Sequence, residues 1–229
     1  MRDRRYLALG VFVVPYTLAA LAVSLVQRNM EFVYYSLVLM VLVGVVWALD
    51  RRVKLPRGVL WGLAAWGFVH LLAGVLPIPE SVTEPGSPAN LYNLRVAWWA
   101  PKFDQVVHAA GFGVATVTAW YALRATYPSV PRMRHGLWVA VVLMGMGLGA
   151  INEVIEFIAT RLMPWTNVGG YENTGWDLVS NLVGCATAGV VIAAWGKEGA
   201  APEAAAATMP AHGHSSDQHR NAGGESAVE

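Results

Sequence analysis

Six apolar segments, each about long enough to cross a bilayer, constrain this chain more than any other feature. They fall at Tyr6–Val26, Phe32–Leu49, Gly58–Leu76, Phe103–Leu123, Leu137–Leu162 and Gly175–Trp195, and about 20 predominantly apolar residues suffice to span the hydrocarbon core. The fifth is longer and must tilt or project beyond the core. Its stretch Asn152–Glu156 is also too polar for an ordinary lipid-facing span. The expected fold is all-α: a polytopic membrane protein with a bundle of six transmembrane helices over residues 1–196. Charged residues make up 14% of the chain, against about 25% in soluble domains, which agrees. The net charge of +1 makes no case for a nucleic-acid partner, so membrane lipids are the expected surroundings. The first segment follows Arg2, Arg4 and Arg5, but Ala19–Ala22 is a poor cleavage site and more apolar sequence follows, so it reads as a span. Cys185 is the single cysteine, which excludes an intramolecular disulfide, and its simplest role is as a small apolar filler.

Orientation follows from the basic residues of the loops. Arg2, Arg4, Arg5, Arg51, Arg52, Lys54, Arg57, Arg124, Arg132, Arg134, Lys197 and Arg220 fall on one side, twelve in all, against four on the other: Arg28, Arg95, Lys102 and Arg161. Both termini are therefore expected in the cytoplasm. The loop Pro77–Pro101 is then outside. Its five prolines discourage regular structure and predict an irregular loop over the bundle, with Trp98 and Trp99 at the headgroup boundary. Residues 197–229 are Ala-, Gly-, Ser- and His-rich and read as a disordered cytoplasmic tail, in which His212, His214 and His219 are most simply incidental. Gly58 with Gly62, and Gly145 with Gly149, have the small-residue spacing that permits close helix contact.

Ionisable groups inside the spans are expensive and are functional candidates by default. At about 1.5 Å of rise per residue, those of this chain share one depth. Asp104 enters at the outer boundary with His108 a turn deeper, Glu153 and Glu156 lie in the outer third of the fifth helix, and Asp177 precedes Asn181 by a turn. His70 sits somewhat deeper, and Tyr171, Glu172, Asn173 and Thr174 crowd the mouth. Asp104 and His108 are i,i+4, as are Asp177 and Asn181, while Glu153 and Glu156 are i,i+3. Each pair therefore shares a helix face. An acid–histidine pair at this spacing can hold a metal, and two adjacent carboxylates call for a cation, a shared proton or separate partners. Zn, Mn or Fe would suit Asp104, His108, Glu156 and Asp177 as mixed N and O ligands, with Glu153 as general base and His70, Glu172 and Asn181 lining the pocket.

Each feature also has a plainer reading. Asp104 and Asp177 stand where helices are expected to begin, and an acid there stabilises the helix dipole with no further role. His70 has no helical partner and fits a hydrogen-bonded core histidine. Glu153 and Glu156 could pair with Arg161, Lys102 or Arg95 in a structural network. Taken jointly these readings weaken, because independent accidents would not choose one depth.

The run Lys102-Phe103-Asp104-Gln105-Val106-Val107-His108, then Glu153-x-x-Glu156, then Asp177-x-x-x-Asn181-x-x-Gly184, resembles the VanZ-like group of bacterial membrane proteins. The string Asn167 to Asp177 resembles the YjdF-like inner-membrane relatives better, and the likeness covers about Lys102–Gly189. Glu156 stands where that group has Gln, and the Arg usual between the Glu and the final Asp has no counterpart. The resemblance implies a bacterial inner-membrane location and supplies no activity.

Three functions are open on these residues. One is a metal-dependent membrane hydrolase or lipid-modifying enzyme acting on a lipid or cell-envelope substrate, although no His-Glu-x-x-His signature is present. A second is a non-enzymatic protein whose polar cluster fixes helix register and whose outer loop binds a partner. The third is transport of an ion or small molecule, which the few polar residues in the inner halves of the helices count against.

Overall fold

Six α-helices occupy the apolar segments: α1 (Arg2–Val26), α2 (Met30–Val53), α3 (Arg57–Val75), α4 (Phe103–Thr126), α5 (His135–Leu162) and α6 (Tyr171–Trp195). The computed structural model describes residues 2–130 and 135–195. The expected tail of residues 197–229, with His212, His214 and His219, lies outside them, as do Arg132 and Arg134. All six helices contain bilayer-length stretches of mean hydropathy between 1.4 and 2.3. Their outward faces carry exposed Leu7, Val11, Val41, Leu143, Phe157 and Val190. Water would penalise such a surface, and hydrocarbon does not.

Of the helix starts that differ from expectation, those of α2 and α6 bear on the site. The Asn29 side chain accepts a hydrogen bond from the Phe32 amide at 3.2 Å, which caps α2 and brings Glu31 into its first turn. The helix α6 begins at Tyr171, four residues ahead of Gly175. Hydropathy alone hides that turn because Glu172 and Asn173 are polar, yet an acid suits a helix N-terminus. Asp177 consequently lies inside α6 rather than at its start, so a capping role does not account for it.

The Pro77–Pro101 loop is more regular than its prolines suggested. It contains 3-10 turns at Glu80–Val82 and Leu91–Asn93, isolated antiparallel bridges Pro77–Asn90 and Thr83–Leu94, and an Arg95–Glu84 ion pair at 2.7 Å. The amides of Ile78 and Leu91 donate to Ala89 and Leu76 carbonyls at 3.1 and 3.0 Å. Non-proline neighbours thus supply the donors that the prolines lack.

In the bundle, the most extensive contact is between α4 and α6, and α5 packs on both. Lipid tails are as apolar as leucine, so close van der Waals packing rather than water exclusion must hold these helices. Gly184 shows how. A Cβ there would overlap the Ala109 carbonyl oxygen of α4, so only glycine lets the two backbones approach this closely. Two apolar clusters fill the half of the α4–α5–α6 bundle nearer the α4–α5 loop. One contains Phe112, Val142 and Cys185, and the other Trp120, Val141 and Ile192. At the opposite end, Phe32, Tyr35, Leu71, Tyr92 and Val107 form a third core beneath the Pro77–Pro101 loop.

Candidate metal centre

The site is built around one imidazole. His108 lies a turn into α4 from Asp104, buried against α6 and α5, with its side chain 6% exposed. Its Nδ1 is 3.1 Å from Asn181 Oδ1 of α6. Its Nε2 is 3.6 Å from Asp104 Oδ1 and 3.6 Å from Glu156 Oε1, and Nδ1 is 3.7 Å from Glu153 Oε1. His108, Glu153, Glu156 and Asp177 each offer a ligand atom, and these atoms all lie within 4.8 Å of one another.

Those separations carry chemical information. A direct N–H···O bond closes at about 2.7–3.2 Å, so the carboxylates do not bond the imidazole. Two ligands each about 2.1 Å from a tetrahedral ion stand about 3.4 Å apart. The separations of Asp104 and Glu156 from Nε2 are therefore longer than hydrogen bonds and close to what an ion on Nε2 requires, while the Glu153 contact is on the Nδ1 side, beside Asn181. Asp177 and Asn181 are fully buried. Both oxygens of Glu153, Oδ1 of Asp177 and Nδ2 of Asn181 lack a hydrogen-bond partner among the described residues. A buried carboxylate oxygen without a donor costs several kcal/mol unless something positive meets it.

Amides hold the remaining oxygens in place. Asn152 donates to Glu156 Oε1 at 2.6 Å, and Asn173 donates to Asp177 Oδ2 at 2.5 Å. The Asn173 carbonyl in turn accepts from the Lys102 ammonium. Lys102 starts α4, where the Gln105 side chain accepts its amide at 3.0 Å. Asp104 stands in the first turn of α4, where its charge also suits the helix dipole. Neither Glu153 nor Glu156 pairs with Arg161, Lys102 or Arg95: Arg95 binds Glu84, and the ion-pair neighbour of both glutamates among the described residues is His108.

Beside this cluster is a small, partly open cavity of about 20 Å3, room for about one water molecule. It is lined by Glu31, Phe32, Tyr35, His70, Tyr92, Asp104, Glu156, Asn167, Val168 and Asn173. Asp104 and Glu156 thus face both the cluster and the cavity. The Tyr92 hydroxyl is hydrogen-bonded to His70 Nδ1. Burial, reinforced by the Asp104 carboxylate, raises the Tyr92 hydroxyl well above its ordinary pKa, so it stays protonated and can donate to the ring nitrogen. The roof is tied down by Asn167, whose amide donates to Glu31 Oε2 at 2.6 Å and whose side-chain oxygen accepts from Asn93 at 2.7 Å and Asn90 at 3.3 Å.

Of the residues singled out from sequence, Asp104, His108, Glu153, Glu156, Asp177 and Asn181 come together. His70 lines the adjoining cavity, while Glu172 is exposed on the first turn of α6 and is not among its lining residues. The four-residue group contains Glu153 where Asp104 was expected. Sequence reasoning passed over Glu31, Tyr35, Tyr92 and Asn167. Glu31 had a usable signal, because an acid beside the outer end of the second span is at the same depth as the others. Tyr92 and Asn167 are loop residues, for which depth counting offers nothing.

Six bilayer-length helices enclosing a polar cluster at one end define a polytopic helical membrane protein. Residues 7–198 match the model of a family described as a predicted membrane protein family, DUF2238, and the chain belongs to it. No curated protein and no solved structure matches the chain.

Proposed function

We propose that this chain is a metal-dependent hydrolase or lipid-modifying enzyme of the bacterial inner membrane, with both termini cytoplasmic and its polar end facing outward. The observation that carries the reading is the gathering of ligand atoms from His108, Glu153, Glu156 and Asp177 within 4.8 Å of one another, compact enough to surround a shared ion. Mixed nitrogen and oxygen donors favour Zn, Mn or Fe. Such an ion would supply an activated water at neutral pH. The chain's own residues provide the rest. Asn181 fixes the imidazole through Nδ1, the usual task of a group behind a metal-binding histidine. Asn152 and Asn173 orient Glu156 and Asp177. We exchange the roles first read for Asp104 and Glu153: Glu153 joins the ligands, and Asp104, which faces the cavity, is the general base. The inner-membrane location rests on the VanZ-like and YjdF-like resemblance, and the orientation on the twelve-to-four basic asymmetry.

The alternative is a polar network that fixes helix register, favoured by the amide bonds to Glu156, Asp177 and His108. Metal analysis of protein purified without chelator separates the two. The enzyme reading expects close to one Zn, Mn or Fe per chain in wild type and none in His108→Ala. Metal-free wild type that gains no thermal stability from added Zn, Mn or Fe(II) would overturn it. Topology has its own check: a reporter fused after Trp195 should be cytoplasmic and one inserted at Gly86 extracytoplasmic. Both on one face would defeat the outward-facing pocket.

A further inference from the structure

We infer that the turn joining α2 to α3, at the end of the molecule opposite the polar cluster, is a binding site for the phosphodiester headgroup of an anionic phospholipid. Arg51, Arg52, Lys54 and Arg57 place four cations within seven residues, and all four are exposed. Among the described residues no carboxylate lies at ion-pair distance from any of them. The neighbouring acid, Asp50, is buried and accepts a hydrogen bond from the Tyr6 hydroxyl of α1 at 2.6 Å. Helix energetics explains only half of this charge. Arg51 and Arg52 lie in the last turn of α2, where the dipole favours cations. Arg57 opens α3, whose first turn contains no acid, and a cation at that end is disfavoured. Lys54 caps α2 at φ 57° and ψ 58°, a left-handed conformation that glycine adopts more readily. Four like charges in so short a stretch repel one another, and an anion between them relieves that repulsion.

The turn is also held still. Leu55 is buried, Pro56 fixes its own φ, and the Lys54 amide donates to the Asp50 carbonyl at 2.9 Å. The Arg51 guanidinium stands 5.1 Å from the centre of the Trp47 ring. Stacking occupies the face of a guanidinium and leaves its N–H edge for phosphate oxygens. Trp47 lies one turn along α2 from Arg51, and Trp61 one turn along α3 from Arg57, each about 6 Å nearer the bilayer centre. Both are partly exposed. Tryptophans so placed mark the boundary between headgroups and hydrocarbon, which puts the four cations at phosphate depth. Clusters of this size beside a membrane span attract anionic lipid. A phospholipid meets both surfaces at once, its phosphate against the cations and its chains along exposed Val41 and Val45 of α2. A free phosphate would meet only the first. The inference stands apart from the metal reading, because it uses none of the same residues.

The test places the full chain in nanodiscs of phosphatidylcholine with a minor share of phosphatidylglycerol or cardiolipin, and counts retained lipid by native mass spectrometry. Wild type should retain about one anionic lipid per chain, with a preference of about tenfold or more over phosphatidylcholine. Arg51→Gln and Arg57→Gln should each reduce that preference about fivefold, the scale of one cation at a membrane surface. Arg124→Gln, which removes a cation from the last turn of α4, should leave it within about twofold. Lys54→Gly separates binding from folding. It should lower the preference as the arginine variants do, and leave the melting temperature in detergent unchanged or higher, because glycine relaxes the left-handed cap. Excess inorganic phosphate should not displace the lipid. The inference is overturned by equal retention of anionic and zwitterionic lipid in wild type, or by preference unchanged in the Arg51, Lys54 and Arg57 variants. An equal loss in Arg124→Gln overturns it too, since any cation would then serve, and so does displacement by phosphate, which would make a soluble anion the occupant.

Discussion

The two ends of the α4–α5–α6 bundle are made from the same three helices and have opposite interiors. Near the Pro77–Pro101 loop the helices meet through His108, Glu153, Glu156, Asp177 and Asn181. A turn further on they meet through Phe112, Val142 and Cys185, then through Trp120, Val141 and Ile192. Both ends are tightly packed, but among the described residues only the first leaves buried polar side-chain atoms of these helices without partners. A conduit would need polar groups at both ends. The difference teaches that stability and chemistry are segregated along the helix axis: the apolar half ties the helices, and the polar half is supported by it. It also counts against transport, since the apolar half stands between the cluster and the opposite face.

Substitutions at each end can break this division. The largest effect on folding is expected from Trp120→Ala, which should cost about 3 kcal/mol, the usual magnitude for emptying a buried aromatic site, while metal content per folded chain stays at the wild-type value. Chemical unfolding in mixed micelles, read beside metal analysis, checks both halves. Loss of metal in folded Trp120→Ala would show that the two ends are coupled. At the polar end the order should reverse. Glu153→Gln should weaken metal binding at least tenfold, because a neutral amide is a poor ligand for the ions proposed, and leave metal-free stability unchanged or improved by relief of repulsion among the acids.

Smaller effects sharpen the comparison. Asn181→Ala removes the hydrogen bond behind the imidazole, and such orienting groups are typically worth roughly 10–100-fold in metal affinity. Competition against a fluorescent chelator would measure it, and unaltered affinity would mean that packing alone orients His108. The smallest effect is expected from truncation at Glu198, because the composition of residues 197–229 lacks apolar side chains able to anchor on a bundle. Thermal stability in detergent should be unchanged, and a clear drop would show that the tail docks.

How much of this was legible beforehand depended on whether a position was decided by hydropathy or by side-chain partners. The six spans follow from the bilayer's demand for apolar length, and their polar residues could be ordered by depth because helical rise is constant. Depth says nothing about neighbours across helices, so the exchange of Asp104 for Glu153 in the four-residue group could not be anticipated. The early start of α6 was hidden by the polar Glu172 and Asn173. Glu31 was lost for a related reason, since an apolar segment begun at Phe32 stops one residue short of it. The loop's pairing came from backbone groups between prolines, which a count of prolines cannot reveal.

The close approach at Gly184 has a consequence for which acids the site can use. Helix axes usually lie about 8–10 Å apart, depending on the side chains between them, and a backbone with no Cβ against a carbonyl lies at the near end of such a range. Across so narrow a gap the short arms of Asp104, Asp177 and Asn181 suffice, and all three come from this one pair of helices. The two acids that arrive from α5 are glutamates, each with one more methylene. Gly149 of α5, where a Cβ would meet the Asn181 amide, keeps that helix near enough for the longer arm and no nearer. Read this way, the division of aspartate and glutamate among the helices is a matter of reach, set by where the backbone has given up its side chains.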